Sequence, residues 1–577
     1  MSALLLLACI GWPLVLVAGL AAPRSRVHVR RLAPWAALPA LLAALLGATD
    51  FELPWMMLGA RLGLDSIATV LLPVTAGLWL AAGLFAQRYL EPGARRDLFF
   101  GWFMAAMAGN LLLLVALDTI MFYLGFALMS FASYGLVVHE GNARARHAGR
   151  YYIALVLIGE VCIISALMFL ASRAPIDFVS LRAAFAGGEP GRDALVIALL
   201  LVGFGIKAGM FGLHFWLPLA HPVAPAPASA VLSGAMIKAG LVAWMRLLPL
   251  GDMALPAWGA ALAALGFFTA CYGVLAGLPQ REAKTVLAYS SISQMGVMAM
   301  AIGLGLAFPG QWPALAAVLL VYMAHHCLVK GGLFLGAGLV RHALSPAAAR
   351  LAAVVLSVGA LALAGGPLTG GLVAKLAFKQ TSGLIAAPWG AAVPLLLSIS
   401  SALTALLMLR FLWIAWPRAS GRAAAVPVAL LAPWLALVVA GLSVPWVLAG
   451  PALRAEAAGL TAAWSAAWPL AMAAAIAVMA VRLHRAGRLP AMPGIPPGDL
   501  GIPLERGAAA LSRSLARIAN ESLPRAVGVL AGVAGAVIGS GLGWSVRLGH
   551  VETRITAWWV TGALVLLLAA VFALLMA

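Results

Sequence analysis

The chain holds six lysines, Lys207, Lys238, Lys284, Lys330, Lys375 and Lys379. Lys207, Lys238, Lys330 and Lys375 fall inside apolar runs, and Lys379 lies one turn past Lys375. A lysine near the middle of a bilayer costs about 2.5–3.5 kcal/mol on insertion scales, so each of these marks a functional position. The loops use arginine almost throughout. Arginine stays protonated, whereas a buried lysine shifts its pKa and exchanges a proton. A codon bias toward arginine accounts for the loops but not for where the lysines remain. The set therefore points to proton transfer within a membrane.

Other titratable residues lie in the same runs. His326 and Lys330 stand at i and i+4 and share a helix face, which predicts a relay. His325 beside them is either a further relay group or a polar packing residue. Glu160, in IALVLIGEVCIISALM, is the only acidic residue deep in a run. An isolated carboxylate there is costly, so pairing with a lysine is expected. His214 and His221 flank Pro218; each is either a path group or part of a helix end. Arg410 either closes a polar axis or reaches an interface. The excess of Trp and Met reads as lipid-facing and interfacial packing.

The elements that hold these residues are long apolar helices. Hydrophobic residues form 64% of the chain and charged residues 10%, far below the roughly 25% of soluble domains. The reading is an all-α polytopic membrane protein with about 15–17 transmembrane helices. Candidate spans cover 3–21, 34–48, 66–86, 98–116, 119–138, 151–171, 195–217, 226–247, 256–277, 285–306, 313–338, 351–383, 390–416, 425–449 and 462–481. Beyond 482 the pattern changes to a polar, proline-rich stretch with an amphipathic piece, then a Gly-rich apolar segment at 526–546 and a span at 557–576. The last part reads either as a lateral helix plus one span or as two spans. FELPWMMLGARLGLD, at 51–65, reads as a β-hairpin.

The formal charge of +19 raises nucleic acid as a partner. The arginines instead occupy every second short loop, as the positive-inside rule requires, so no nucleic acid is expected. That spacing places the N-terminus outside, in a bacterial inner membrane. The first charge is Arg24, and the apolar start lacks a basic n-region, which favours a first span over a cleaved signal peptide. Cys9, Cys162, Cys271 and Cys327 sit in apolar runs without CxxC spacing and read as packing residues. No metal or cofactor is expected. With no flavin, nucleotide or iron–sulfur signature, the chain reads as non-catalytic, and any redox chemistry belongs to partner subunits.

Two spans are predicted to break. The seventh is interrupted around Gly205–Gly209, beside Lys207. The twelfth is interrupted at Gly365, Gly366, Pro367, Gly370 and Gly371, before Lys375. Paired broken spans carrying ion-exchanging residues indicate an inverted-repeat transporter with sites at the midplane. Unpaired backbone at that depth is tolerated only against protein or internal water. The offset of five spans fits two repeats. The division is 1–97 for the N-terminal helices and hairpin, 98–248 and 256–416 for the repeats, 417–481 for extra helices, and 482–577 for the final segment.

The stretches GFGIKAGMFGLHFWLPLAHPVAPAPASAVLSGAMIKAG, REAKTVLAYSSISQMGVM and YMAHHCLVKGGLF resemble the antiporter-like subunits of respiratory complex I. That family is shared with Mrp cation/proton antiporters and membrane-bound hydrogenases, and the hydrogenase-4 component B type looks most similar. The resemblance covers residues 55–415. It implies about fourteen core helices in two inverted five-helix repeats, and proton translocation along a central polar axis. It further implies a redox-driven complex of other membrane subunits, of hydrogenase or NADH:quinone oxidoreductase type, as partners. By that resemblance Lys207 matches the broken-helix lysine, Lys238 the eighth-helix lysine, Lys330 with His326 the central pair, and Lys375 the residue of the second broken helix. The family's fifth helix carries Gly-Trp-Glu; LGFALMSFASY has Gly125, then Phe126, then Ala127 where the glutamate belongs. Glu160, one helix later, is the expected substitute partner for Lys207. Two other classes fit the same residues: a cation or inorganic-carbon transporter working with a soluble partner, and a structural subunit with a dead channel.

Overall fold

The computed structural model describes residues 2–498, apart from 57–58, 93, 188–189, 343, 420–425 and 489–493. The expected arrangement of residues 501–577 lies outside the described residues. Among the described residues, thirteen helices are long and apolar enough to cross a membrane. Two interrupted crossings bring the spans to fifteen. The second runs as Ala33–Ala37 and Leu38–Leu45, preceded at the basic end by the short helix Arg26–Leu32, and the seventh as Pro190–Ala208 and Trp216–Val223. Polar caps set several starts: Asp65 accepts from the Ala68 amide before the third span (Ser66–Tyr89), and Asp118 from the Met121 amide before the fifth (Thr119–Val137).

Residues 51–65 form the expected hairpin. Strands Phe51–Leu53 and Ala60–Leu62 pair antiparallel, with Glu52 opposite Arg61. A bridge from Leu62 to Ala116 ties it to the loop after the fourth span (Ala94–Val115). The basic loops lie at the opposite end of the bundle.

The fourth and fifth spans cross where Gly109 and Gly125 meet. A Cβ on either glycine would stand 2.4–2.5 Å from a backbone nitrogen of the other helix. The ninth (Pro256–Gly277) and tenth (Ala283–Ala307) repeat the arrangement at Gly266 and Gly296. Small residues let membrane helices approach backbone to backbone, because lipid gives no hydrophobic drive for association.

Both predicted breaks are present. The twelfth span ends at Ala364, turns through Gly365 at φ 84°, and restarts at Gly370 under a Thr369 cap. The first break is displaced from its predicted place. The helix continues through Gly205 to Ala208, and the break occupies Gly209–Phe215, with Gly209 at φ 71°. Glycine tolerates helical φ/ψ, so only a positive φ marks where the turn falls. The eighth span (Ala226–Leu247) holds a π-helical turn at Leu232–Met236, separated from Lys238 by Ile237 alone.

Candidate functional site

Lys207 occupies the last turn of the first half of the seventh span, where free carbonyls favour a cation. Its Nζ donates to the Tyr152 hydroxyl at 3.1 Å and lies over the rings of Tyr152 and Trp216 at 5.5 and 5.9 Å. Tyr152 in turn donates to the Ser130 carbonyl at 2.8 Å. Glu160 is two turns beyond Tyr152 on the sixth span (Ala143–Ala171) and is 5% exposed. Its carboxylate faces the Tyr123 hydroxyl and the Lys207 charge but makes no close hydrogen bond to either. Glu160 therefore stands within electrostatic reach of Lys207 without forming a contact pair. Tyr123 precedes Ala127 by one helical turn, so its hydroxyl extends from the side of the fifth span where a glutamate is missing.

The centre of the site is built from three spans. Lys238 Nζ lies 2.7 Å from His326 Nδ1 and donates to the Ser233 carbonyl at 2.9 Å. The π turn frees that carbonyl and aims it back at the lysine. When Lys238 is charged its ammonium donates to Nδ1, a geometry that requires the ring proton on Nε2, and Nε2 has no hydrogen-bond partner. Lys330, predicted to pair with His326, donates instead to the Leu287 carbonyl of the tenth span at 2.8 Å. The i,i+4 spacing puts His326 and Lys330 on one face of the eleventh span (Trp312–Leu339), but His326 is taken by the lysine opposite. Hydroxyls fill the gaps. Ser133 reaches Met236 Sδ at 3.2 Å, and Ser233 and Ser291 are 2.6 Å apart.

At the second break, Lys375 donates to the Ala364 carbonyl at 2.8 Å and the Ser401 hydroxyl at 3.1 Å. Ala364 is the last residue of the first half-helix, so Lys375 caps a free helix end. His325 bridges the two regions. Its Nδ1 donates to the Gly441 carbonyl at 3.1 Å, its Nε2 lies against Gly371, and the charges of Lys375 and Lys238 both act on it. Gln294 adds a neutral link, accepting from Tyr322 at 2.8 Å and donating to Thr404 at 3.0 Å.

The remaining candidates separate. His214 lies in the first break, stacked on Phe211 and edge-on to Tyr272. His221 is fully buried, stacks on Phe334 at 4.6 Å, and feels both Lys284 and Lys330. Lys284 donates to the Ala224 carbonyl. His221 and Lys284 thus connect the basic end to Lys330. Arg410 binds the Gln280 carbonyl in the loop between the ninth and tenth spans, at the basic end and not on the axis. Tyr123, Tyr152 and the serines were absent from the sequence reading. No spacing in the sequence marks them. Among the described residues no cluster of three His, Cys, Asp or Glu is placed to hold a metal.

Residues 116–406 match the family described as NADH:quinone oxidoreductase/Mrp antiporter, transmembrane. Hydrogenase-4 component B of Escherichia coli K12 is 31% identical over 301 residues, 50% of this chain and 44% of that protein. NADH-quinone oxidoreductase subunit N of Desulforudis audaxviator is 31% identical over 296 residues, 49% of this chain and 56% of that one. The chain spans about half the length of the curated relatives it matches. The Mrp complex of Dietzia sp. DQ12-45-1b contains a chain of the same fold, with a TM-score of 0.75 at 21% identity, covering 94% of this chain and 63% of that one.

Proposed function

The chain belongs to the NADH:quinone oxidoreductase/Mrp antiporter family of membrane subunits, and on that premise we propose that it carries protons through the membrane as one subunit of a redox-driven complex. One observation carries this reading. Lys238 and His326 are in direct contact between two broken spans, each of which presents a buried lysine. Protons enter from the basic end, where Lys284 and His221 lead to Lys330, and where Glu160 and Tyr152 flank Lys207. They pass through Lys238, His326 and His325 to Lys375 and leave on the hairpin side. A proton leaving Lys238 for His326 Nδ1 converts the imidazole into a cation that can release from Nε2, so the pair transmits charge by one short transfer.

The two repeats, 98–248 and 256–416, supply the two broken spans. The basic end faces the cytoplasm of a bacterial inner membrane, with the N-terminus outside. Other membrane subunits of a hydrogenase-like or complex I-like assembly supply the driving reaction. A structural subunit with an inactive first half is the second reading. It is favoured by Ala127 and by the Glu160 carboxylate's having no hydrogen bond to Lys207.

The test uses everted membrane vesicles holding the full chain and its partner subunits. Lys330→Ala is expected to lower substrate-driven acidification of the vesicle interior at least 10-fold while the complex still assembles. Unchanged acidification would remove the proton-path reading.

A further inference from the structure

The hairpin end of the bundle holds a cavity of about 460 Å³, walled by Arg61, Asp65, Asp177, Arg182, Arg246 and Trp312, among others. Directly beneath it a second cavity of about 10 Å³ touches Thr75, Asn110, Val242 and Lys238. The third, eighth and eleventh spans contribute to both, and the fourth lines the lower one, with Leu117 just past its end on the upper. One water molecule needs at least about 10–15 Å³ and two to four polar partners; in walls that are otherwise apolar, Thr75, Asn110 and Lys238 are the polar side chains that offer them. Lys238 is eight residues before Arg246, about 12 Å along the helix.

Arg246 separates the two cavities. Its side chain is 2% exposed and bonds Asp65 Oδ2 through Nε and Nη2, at 3.1 and 2.8 Å. It also donates to the carbonyls of Leu113 and Leu114 at 2.7 and 2.8 Å, and those two residues line the lower cavity. Its guanidinium lies 5.7 Å from the Phe122 ring and 5.2 Å from Phe178. Asp65 is the cap of the third span and reaches the upper cavity, with 29% of its side chain exposed. A fixed cation buried in a narrow polar passage is an electrostatic barrier to other cations. It is held by one exchangeable ion pair and by two carbonyls at a helix end.

We propose that this stack is a gated proton outlet above Lys238, closed by the Arg246–Asp65 pair, in addition to release beyond Lys375. The proposal rests on the proton-carrying reading above. In the open state the Lys238 ammonium gives one N–H proton to a water in the lower cavity, leaving a neutral amine and a hydronium ion. The proton then moves outward through the upper cavity past Asp65. The alternative is that Arg246 merely caps the fourth span.

Accessibility separates the two. Val242 lines the lower cavity and is 1% exposed. In the full chain in its native membrane, with the native cysteines replaced by serine, Val242→Cys is treated from the hairpin side with a membrane-impermeant cationic methanethiosulfonate. It is expected to stay unlabelled with Arg246 and Asp65 in place. In Val242→Cys/Arg246→Gln and Val242→Cys/Asp65→Asn, labelling of the folded fraction rises at least 10-fold. Asp65→Asn keeps a good helix cap, so it decides the matter if Arg246→Gln fails to fold. Unchanged labelling in the folded Asp65→Asn variant, with only a lower yield, overturns the gate. Labelling requires no turnover. Labelling that rises in a complex that moves no protons would keep a gated water passage but overturn its role as a proton outlet.

Discussion

In the proposed path, Glu160 is the residue whose role in the first half is most exposed to test. It is a buried carboxylate without a close hydrogen bond, near a lysine already engaged by Tyr152. Such a group carries a large desolvation cost unless a cation stays near it. The Lys207 charge meets that need at longer range, and the Tyr123 hydroxyl stands beside it. The Glu160 and Lys207 charges act on each other without a contact pair, so in the proposed path the carboxylate is the group expected to influence when the lysine is charged. Glu160→Gln preserves shape and removes that influence. Proton flux in everted vesicles is expected to fall at least 10-fold, with assembly unaffected. Flux at the unsubstituted level in Glu160→Gln would show that the missing fifth-helix carboxylate has no substitute here, and the first half would then be inactive.

At the scale of elements, the two breaks do the positioning. Gly365 turns the twelfth span with φ 84°, and a Cβ there would stand 2.7 Å from Lys375 Cδ. Left-handed backbone costs a non-glycine residue about 1–2 kcal/mol. Gly365→Ala should therefore lower the thermal midpoint of the purified full chain and push Lys375 off the Ala364 carbonyl. Gly310→Ala, with nothing within 4 Å and no positive φ, is the matched control and should change neither. A Gly365→Ala protein as stable and active as that control would show that the break does not position Lys375. Breaks of this kind were legible in the sequence, because Gly and Pro clusters and lone lysines stand out against apolar runs. So were the hairpin and the fifteen spans. The partners were not. Lys238 and His326 are 88 residues apart, and Ser133 and Met236 are 103 apart. Serine and tyrosine in a span carry no pattern that separates a path hydroxyl from a helix-bonded one. The i,i+4 rule identified the right face of the eleventh span but the wrong partner for His326. The π turn also left no mark, since LSGAM reads as ordinary helix.

For the whole molecule, charge distribution sets orientation. The arginines at the hairpin end are largely matched. Arg61 pairs with Glu52, Arg173 with Asp193, Arg182 with Asp252 and Arg246 with Asp65. At the other end Arg30 pairs with Asp97 and Arg144 with Glu282, but Arg24, Arg26, Arg31, Arg88, Arg95, Arg146 and Arg150 outnumber the carboxylates around them. Net charge is thus concentrated at one end of a chain that carries +19 overall. An anionic cytoplasmic leaflet attracts a nearby basic residue by about 1 kcal/mol. Carrying a charge against the membrane potential costs about 2.3 kcal/mol per 100 mV. With several unmatched arginines at one end, the expected orientation has that end in the cytoplasm. Ala143, the first residue of the sixth span, and Ala254, in the loop before the ninth, are exposed at opposite ends. In intact bacterial cells making the full chain without its native cysteines, an impermeant maleimide is expected to label Ala254→Cys and spare Ala143→Cys. After permeabilisation both should react. The opposite pattern in intact cells would invert the molecule, put Lys284 and His221 on the release side, and reverse the direction of the path.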